Sequence, residues 1–452
     1  MFNEVRITAN NSKSVYINIA LYVKLKKYIF CIRSNIMTKT FKAYNMTANE
    51  KTVFISYIIY SAIMIFADMI ISPVYFLHML NKAHISYADV AFLMGLSSIL
   101  IGVLDFPTSH IADKSNKLLI SCFGTTCICV MLMMVGFATN MKILIVAIVL
   151  RAVGAAMETG CLSGWFVDNM KDNPNYEKIK EKYISYSTIA TRFSMFASLV
   201  LAFFLLNKVN PESIFVVSSI MNFLLLIFVF SVYLKSRKTG NTQKSNIKEI
   251  LEIRPLIDFC KKTISNRSYL KLYGISFLRF SMLIIFITFW HMVGENIGVG
   301  NQLSILHIIA MGSCVLFSVL VPKIEDRFKD KKNLVIAYIC LVLMVTMVAS
   351  TFLIKTNKYF YVFFLIGFQV TNVAFGMFNQ SYSMRYAAEI GDTSKFFSIV
   401  SSIGNLLTAI VLFLIKEFIV DRIPIMGSLC LLLIPGAIFL VIMMKNYNKV
   451  KL

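Results

Sequence analysis

The chain has 452 residues, of which 58% are hydrophobic, and its mean hydropathy is +0.72. These values exclude an ordinary soluble domain of this length. The formal net charge is +22, but the basic residues are scattered over short loops and are not gathered with aromatic residues on one face. We therefore expect a membrane protein that has no nucleic-acid partner.

Residues 1–50 are predicted to form a basic, cytoplasmic N-terminal extension. Its one short apolar run is followed by Lys24, Lys26 and Lys27. A secretory signal peptide has the opposite order, with its positive charges before the apolar run. The extension is therefore interpreted either as an arm lying on the inner leaflet or as the product of an upstream start codon.

Twelve apolar runs follow, and each is long enough to cross the hydrocarbon of a bilayer, which takes about 20 residues in a helix. The runs are continuous and do not alternate, which predicts helices and not barrel strands. The predicted fold class is an all-α membrane protein with twelve transmembrane helices, at residues 53–77, 89–109, 118–138, 142–167, 182–207, 213–234, 271–293, 302–322, 334–354, 359–383, 396–418 and 425–444.

The distribution of positive charge predicts the orientation of these helices. Most of the 45 Lys and Arg residues lie in the N-terminal stretch, in the even-numbered connections and in the tail. Because basic loops stay on the cytoplasmic side, both termini are predicted to be cytoplasmic. We expect a multi-pass protein of the cell (plasma) membrane, with anionic lipids as partners of its basic surface.

The chain is predicted to divide into two six-helix halves, residues 51–235 and 271–445, with a cytoplasmic tail at 446–452. The linker between them, residues 236–270, is polar and basic and contains an amphipathic pattern typical of a short interfacial helix. The charged segment around Asp113 is weakly similar in sequence to the segment around Asp326 in the second half. A duplicated six-helix unit is typical of carriers with a substrate site at the midplane.

A charged segment between the second and third runs carries the strongest motif. Asp105 begins an Asp-Phe-Pro-Thr sequence, and Ile-Ala-Asp-Lys-Ser-Asn-Lys follows from residue 111. This segment resembles the loop after helix 2 of the major facilitator superfamily, Gly-x-Leu-Ala-Asp-Arg-x-Gly-Arg-Lys, with which it shares Ala112 and Asp113. Asn116 replaces a glycine of the family, and Asn tolerates a left-handed turn better than most residues.

The fourth run adds a second part of the resemblance. Arg151 is followed by small residues, and the later run that ends in Trp-Phe-Val-Asp168 is similar to the Ala-Trp-x-x-Asp segment of bacterial efflux carriers. Gly160 and Gly164 form a small-xxx-small face for close helix contact. The resemblance covers residues 50–445 and implies two pseudo-symmetric six-helix bundles.

The resemblance also implies contacts between the loops. Asp168 would pair with Lys114 or Lys117, and Asp113 would face the start of the eleventh predicted transmembrane helix. Alternatively, these charges would only anchor the protein at the lipid surface. The predicted gating residues are Asp105, Asp113, Lys114, Lys117 and Asp168, with Asp326 and Arg327 as their counterparts in the second half.

Charged residues inside the spans are the candidates for chemistry, since each costs about 2.5–3.5 kcal/mol at a helix centre unless it is paired or hydrated. The predicted proton-coupling or substrate-binding residues are Asp68, Arg151, Glu158 and Arg192. Asp68 would couple protons or pair with a cationic substrate, or else form a static pair with an Arg on helix 4 or 5. Glu158 would bind substrate or form an ion pair with Arg192 or Arg151. Arg279 is expected to snorkel to the cytoplasmic interface.

The sequence favours a monomeric secondary active transporter that works by alternating access and exports a small amphipathic molecule, such as a drug, toxin or peptide-like compound, in exchange for protons. The fifth run lacks the Gly- and Pro-rich signature of drug/proton antiporters. Proton-coupled uptake of a small nutrient is therefore an alternative, as is a non-transporting receptor or scramblase on the same scaffold. The chain contains no Gly-Lys-Ser phosphate loop, His-Glu-x-x-His or Gly-x-Ser-x-Gly motif. We predict no catalytic residues, metal or cofactor, and no enzymatic activity.

Overall fold

The computed structural model of the protein is helical throughout its described part. The described residues are 41–206, 209–238, 254–266, 269, 272–274, 276, 279, 294, 297–298, 303–328, 332–353, 357, 359–390, 393–416 and 438, with the side chains of some residues in these ranges left out. The N-terminal extension up to residue 40, most of the linker and the tail lie outside this description. So do most of the predicted spans at 271–293 and 425–444.

The helices are numbered here in chain order. The first eight are α1 Ala48–Ile71, α2 Tyr75–Lys82, α3 Tyr87–Lys114, α4 Lys117–Gly136, α5 Met141–Glu158, α6 Cys161–Met170, α7 Tyr176–Leu206 and α8 Pro211–Lys238. The linker contributes α9 Arg254–Ile264. The described part of the second half contains α10 Leu303–Phe328, α11 Lys332–Leu353, α12 Phe360–Ile390 and α13 Thr393–Lys416.

Seven segments of the described part are long and apolar enough to cross a membrane. They correspond to α1, α3, α4, α5 with α6, α7, α8 and α12, and a shorter apolar helix covers Ile305–Val321 within α10. Many of their large apolar side chains face outward, including Phe123, Phe204 and Leu316, each of which is more than half exposed. Such a surface is stable in lipid and not in water, so the chain is an integral membrane protein.

Side-chain caps determine where several helices begin. Thr47 and Glu50 form a capping box at α1, in which the Glu50 carboxylate accepts from the Thr47 amide at 2.6 Å. Ser86 and Asp89 form the same arrangement at α3. At α4 the side chain of Asn116 accepts from the amides of the next helical turn, at 3.0 and 3.3 Å. Asn116 has φ of −95°, so it serves as an N-cap and not as the left-handed residue that the family's glycine suggested.

The predicted fourth span is interrupted. Its run of 142–167 predicts one helix, but the chain breaks between α5 and α6 at Thr159 and Gly160. Gly160 has φ of +74°, a conformation that suits glycine because it has no Cβ. The first predicted span is interrupted as well, because α1 ends at Ile71 and a separate helix starts after Pro73. Hydropathy does not detect such breaks, since the residues on both sides are equally apolar.

Aromatic side chains hold the N-terminal helices together near the start of α1. The Tyr57 and Tyr183 rings stack at 4.8 Å between centroids, and Phe166 lies 4.3 Å from Tyr183. Phe54 meets the same tyrosine edge to face at 5.9 Å. Aromatic pairs of these geometries stabilise packing by about 0.5–1.5 kcal/mol beyond their buried area. The cluster fixes α1 against α6 and α7.

The two halves meet mainly along two helix pairs, α3 with α13 and α7 with α10, and α6 and α7 also contact helices of the second half. In the first pair, Gly102 of α3 lies against Leu406 of α13, and a Cβ added to this glycine would be 2.8 Å from the leucine Cγ. In the second pair, Met195 and Leu199 of α7 pack on Met311 of α10. Apolar side chains therefore make part of the contact in both helix pairs.

The crossing of α4 and α5 depends on two glycines. A Cβ added to Gly154 would lie 2.8 Å from the carbonyl oxygen of Gly124, and one added to Gly124 would lie 2.8 Å from the carbonyl of Gly154. Backbones that approach this closely leave no space for a methyl group. The crossing therefore requires glycine on both helices.

We expect Gly154→Ala to lower the melting temperature of the purified protein, although alanine is the better helix former. The added methyl forces α4 and α5 apart, which costs about 1–3 kcal/mol. The matched control is Gly312→Ala in α10, where the nearest atom to an added Cβ is a Phe196 ring carbon at an ordinary 3.7 Å. Thermal unfolding in detergent measures both variants. Equal melting temperatures would show that the crossing tolerates the methyl group.

Candidate functional site: an interhelical gate and a charged interior

Lys117, the first residue of α4, contacts side chains of both halves of the molecule. Its ammonium lies 2.9 Å from Asp113, forms an ion pair with Asp168 of α6, and donates to the Thr393 hydroxyl of α13 at 2.8 Å. The Thr393 hydroxyl in turn donates to Asp168 at 3.1 Å. The Lys117 side chain is 10% exposed and that of Asp113 is 6% exposed, so solvent screens this ion pair weakly.

The Asp113 carboxylate also closes the first turn of α13. Its two oxygens accept from the backbone amides of Ser394 and Lys395 at 3.1 and 3.0 Å. A carboxylate at a helix N-terminus satisfies amides that have no partner within the helix and interacts favourably with the helix dipole. We refer to Asp113, Lys117, Asp168, Thr393 and the amides of Ser394 and Lys395 as the gate network.

The break in the fourth span allows α6 to approach the same turn. A Cβ added to Gly164 would lie 2.6 Å from the Ser394 hydroxyl and 2.9 Å from that of Thr393. One added to Gly160 would lie 2.9 Å from the Phe397 Cβ. The small-xxx-small face predicted from the sequence therefore packs on α13, across the boundary between the two halves.

The other predicted gating residues lie outside this network. Lys114 is the last residue of α3, and Lys117 is a lysine that pairs with Asp168. Asp105 lies two turns deeper in α3 and is fully buried beside Thr159 and Ser401. No described group forms a hydrogen bond with its carboxylate oxygens. In the second half, Arg327 is exposed near the end of α10, while the Asp326 side chain is outside the description.

Glu158, at the end of α5, is held in a buried polar cluster. Its carboxylate accepts from the Thr125 hydroxyl of α4 at 2.6 Å, and the Tyr60 hydroxyl of α1 lies beside it. Glu158 is 9% exposed and Tyr60 5% exposed. The expected alternative of an ion pair with Arg151 or Arg192 is wrong, because Glu158 has hydroxyl neighbours instead.

Asp68 and Arg151 face each other across α1 and α5. They interact electrostatically without a direct ion pair, and the Tyr75 hydroxyl lies close to both. Arg151 also directs one guanidinium nitrogen to the sulfur of Met94 at 3.6 Å. The arginine is about 10 Å along the helix axis from Glu158, given a rise of about 1.5 Å per residue. Asp68 is half-buried.

Arg192 and Arg279 are charged residues inside predicted spans, one from each half. Arg192 lies near the midpoint of α7 and directs one nitrogen to the Met195 sulfur at 2.9 Å. The Arg279 guanidinium interacts electrostatically with Arg192 and lies against Gly376, at the midpoint of α12. The snorkelling expected of Arg279 is therefore wrong, because the side chain points inward between helices. The sequence did not indicate this electrostatic influence, since the two arginines are far apart in the chain.

The described residues contain no group of three His, Cys, Asp or Glu side chains that could hold a metal ion. His307 is buried in α10, and His291 lies outside the description. The described cysteines are free thiols that pack in or between helices.

Two sets of membrane helices, locked at one end by a polar network and enclosing charged side chains, are the architecture of a membrane carrier. The sequence matches the major facilitator superfamily over residues 57–409. The chain belongs to this superfamily, and the all-α carrier fold expected from its motifs is confirmed.

Comparison with solved structures agrees with this assignment. The chain is similar to the crystal structure of a point mutant of the nucleoside transporter NupG, with a TM-score of 0.55 and 15% sequence identity, over 87% of this chain and 99% of the other. At this identity the likeness establishes the fold alone. None of the curated proteins compared with the chain matches it.

Proposed function

We propose that the protein is a secondary active exporter, which moves a small amphipathic molecule out of the cell in exchange for protons. In this proposal residues 51–235 rock against 271–445, the linker 236–270 joins the halves, and the protein acts as a monomer. The protein lies in the plasma membrane with both termini in the cytoplasm, so the gate network would lie on the cytoplasmic side. Extension 1–50 and tail 446–452 would then rest near anionic lipid.

The gate network is the observation that carries the proposal. It joins α3, α4 and α6 of the first half to the first turn of α13 in the second. Its bonds to Thr393, Ser394 and Lys395 cross between helices that would separate when the substrate site opens to that side, whereas the two ion pairs of Lys117 lie within the first half. Polar contacts of this kind can form and break in water at the membrane edge, which suits a gate better than an apolar seal does.

The interior carboxylates support proton coupling. Asp68 and Glu158 lie among the helices, and neither forms a direct ion pair in the described part of the chain. Carboxylates without a cation partner exchange protons more readily than those held in a static pair. Asp68 is the better candidate, because it is half-buried and faces Arg151, whose charge could pair with it when it loses its proton.

Uptake of a small nutrient by proton symport is the second candidate. The similarity to a nucleoside transporter favours it, although at 15% identity that similarity does not extend to the substrate. A non-transporting receptor or scramblase on this scaffold would have no need for a gate that links the two halves.

Proton movement in inside-out vesicles tests the proposal. We expect candidate substrates to release protons from an acidified lumen, and Asp68→Asn to abolish that release. Asp172→Asn, which neutralises an exposed loop carboxylate, is the control and should retain it. A pH-sensitive dye measures the flux.

The sign of the flux separates the candidates. Release of luminal protons indicates antiport, whereas further acidification indicates symport. Flux that persists in Asp68→Asn would move the coupling role to Glu158, for which Glu158→Gln is the next variant. Absence of flux for every substrate class would contradict proton-coupled transport.

A further inference from the structure

Asp105 is a carboxylate buried in the contact between the two halves. It is fully buried in α3, and neither of its oxygens has a hydrogen-bond partner in the described part of the chain. An ionised carboxylate that is removed from water without a cation or a donor is costly, whereas a protonated one carries no charge. The gate network does not account for this residue, because its carboxylates are those of Asp113 and Asp168.

Contacts on either side of Asp105 place it level with the serines of α13. One turn before it, a Cβ added to Gly102 would lie 3.3 Å from the carbonyl oxygen of Ser402. Two turns after it, Asp113 accepts from the amides in the first turn of α13 at 3.1 and 3.0 Å. The two helices therefore run antiparallel, and Asp105 comes level with residues 401–402.

α5 closes the other side of the same site. Phe106, the next residue of α3, packs on the apolar cluster that contains Ile399 of α13. The Thr108 hydroxyl donates to the carbonyl oxygen of Ala156 in α5 at 2.9 Å. With 3.6 residues per turn, Asp105 lies on the face of α3 between these two contacts. The packing of three helices therefore excludes water from its carboxyl group.

The surface of α13 at this level is polar and uncharged. Ser398 and Ser402 are one turn apart, and their buried hydroxyls have no hydrogen-bond partner among the described residues. The Ser401 hydroxyl accepts from the side-chain amide of Asn405 at 3.0 Å. Hydroxyl groups can accept from a protonated carboxyl group, but they bring no charge to balance an ionised one. The packed interface therefore suits the protonated form of Asp105.

The cations of the neighbouring helices are directed to other groups. Lys395, at the start of α13, lies over the Phe259 ring at 5.6 Å, and Lys117 belongs to the gate network. Arg151 of α5 directs a nitrogen to a methionine sulfur three turns deeper in α3. No described residue forms a hydrogen bond with the carboxylate of Asp105. The other titratable side chains near this level of α3, α5 and α6 are His110, Glu158 and Cys161.

We propose that Asp105 is a proton-binding site of the gate. It holds one proton while α3 and α13 are packed together. When the helices separate and water from the cytoplasm reaches the carboxyl group, its O–H bond breaks and the proton passes to water. This inference rests on the proposed transport function, and it specifies the place from which a proton leaves for the cytoplasm, which is distinct from Asp68.

Proton linkage gives the sign of the expected pH dependence. The closed state binds one proton more than the open state, so raising the pH should open the gate. Where the open state has lost this proton, the ratio of closed to open gate should fall by about tenfold for each pH unit. The gate network alone would give the opposite sign, because protonation of Asp113 or Asp168 would break the ion pairs of Lys117 at low pH.

The distance between spin labels at Ile111 of α3 and Glu389 of α12 tests the inference in purified protein without native cysteines. Both positions are exposed. We expect the short distance of the closed gate to dominate in mildly acidic buffer. Its ratio to the long distance should fall by at least about tenfold on going to mildly alkaline buffer. Sodium chloride and choline chloride, compared at one pH, distinguish a proton site from an alkali-metal site.

Asp105→Asn should abolish the pH dependence and keep the gate closed in alkaline buffer, because the amide has nearly the same shape and does not ionise. Asp105→Ser is smaller and does not ionise either, so it should behave in the same way and serves if the first variant does not fold. Asp172→Asn makes the same change at an exposed loop carboxylate and is the matched control. It should respond to pH as the native chain does.

The inference is overturned if the gate opens at low pH only, if its opening at high pH persists in Asp105→Asn, or if pH does not change the distances. A gate that Asp105→Asn holds open at every pH would identify Asp105 as a structural contact and also overturn it. Closure by sodium that requires the Asp105 carboxylate would identify an alkali-metal site in place of a proton site.

Proton flux in vesicles separates this inference from the transport proposal. Proton movement driven by substrate, together with a gate that does not respond to pH, rejects the inference alone. A gate whose opening at high pH requires Asp105, without flux for any substrate class, rejects proton-coupled transport and supports the proton site.

Discussion

Replacing Lys117 by Gln is expected to open the gate network and to reduce transport strongly. The substitution leaves Asp113 and Asp168 near each other without their shared cation, and the Lys117–Asp113 pair is nearly buried. Removing one partner of a buried ion pair costs about 3 kcal/mol or more, which corresponds to roughly a hundredfold change in the ratio of closed to open gate. Both the closed and the open state of the gate have to be populated during alternating access, so a gate that rarely closes slows transport.

Spin labels at Ile111 of α3 and Glu389 of α12, in a background without native cysteines, would measure the distance between the halves beside the gate. Both positions are exposed. The population at long distance should dominate in Lys117→Gln. Lys178→Gln, which removes a positive charge from an exposed residue at the start of α7, should leave the distances unchanged. If Lys117→Gln also leaves them unchanged, the charges serve only to anchor the protein at the lipid surface.

Gly164→Ala is expected to have an effect of similar size through sterics alone. The new methyl would lie 2.6 Å from the Ser394 hydroxyl and 2.9 Å from the Thr393 hydroxyl, so α6 could not approach α13 as it does in this structure. Overpacking of this kind costs about 1–3 kcal/mol in the closed state and nothing when the helices are apart. The same distance measurement should therefore show an open gate, and substrate flux should fall by at least about tenfold.

A second-site substitution tests whether this contact is the cause. Ser394→Ala removes the closer hydroxyl, which has no hydrogen-bond partner in the described residues, and should have little effect by itself. Combined with Gly164→Ala, it should restore the closed population. The restoration should be only partial, because the Thr393 hydroxyl still lies close to the new methyl group. Effects that simply add in the double variant would place the disturbance within α6 and not at its contact with α13.

Local features of the sequence determined the membrane helices and the motif at the gate. The third predicted span, 118–138, agrees closely with α4, and the sixth, 213–234, lies within α8. Hydropathy succeeds here because every residue of such a span meets the same solvent, which is lipid. The motif around Asp113 could also be predicted from the sequence, since a carboxylate, a lysine and a helix cap lie within a few residues of each other.

Only the tertiary structure decided how distant segments combine. It placed Lys117, at the start of α4, beside Asp168 of α6, a pairing that the sequence left open between two lysines. It divided the fourth span at Gly160, where packing against α13 favours a turn that hydropathy cannot register.

It also placed the Arg279 guanidinium against Gly376 of α12 and not at the membrane interface. The hydropathy of a predicted span shows only that a residue has apolar neighbours in the sequence. Which charged side chains share one interior depends on helix rotation and on the approach of the two bundles, and those follow from side-chain packing over the whole molecule.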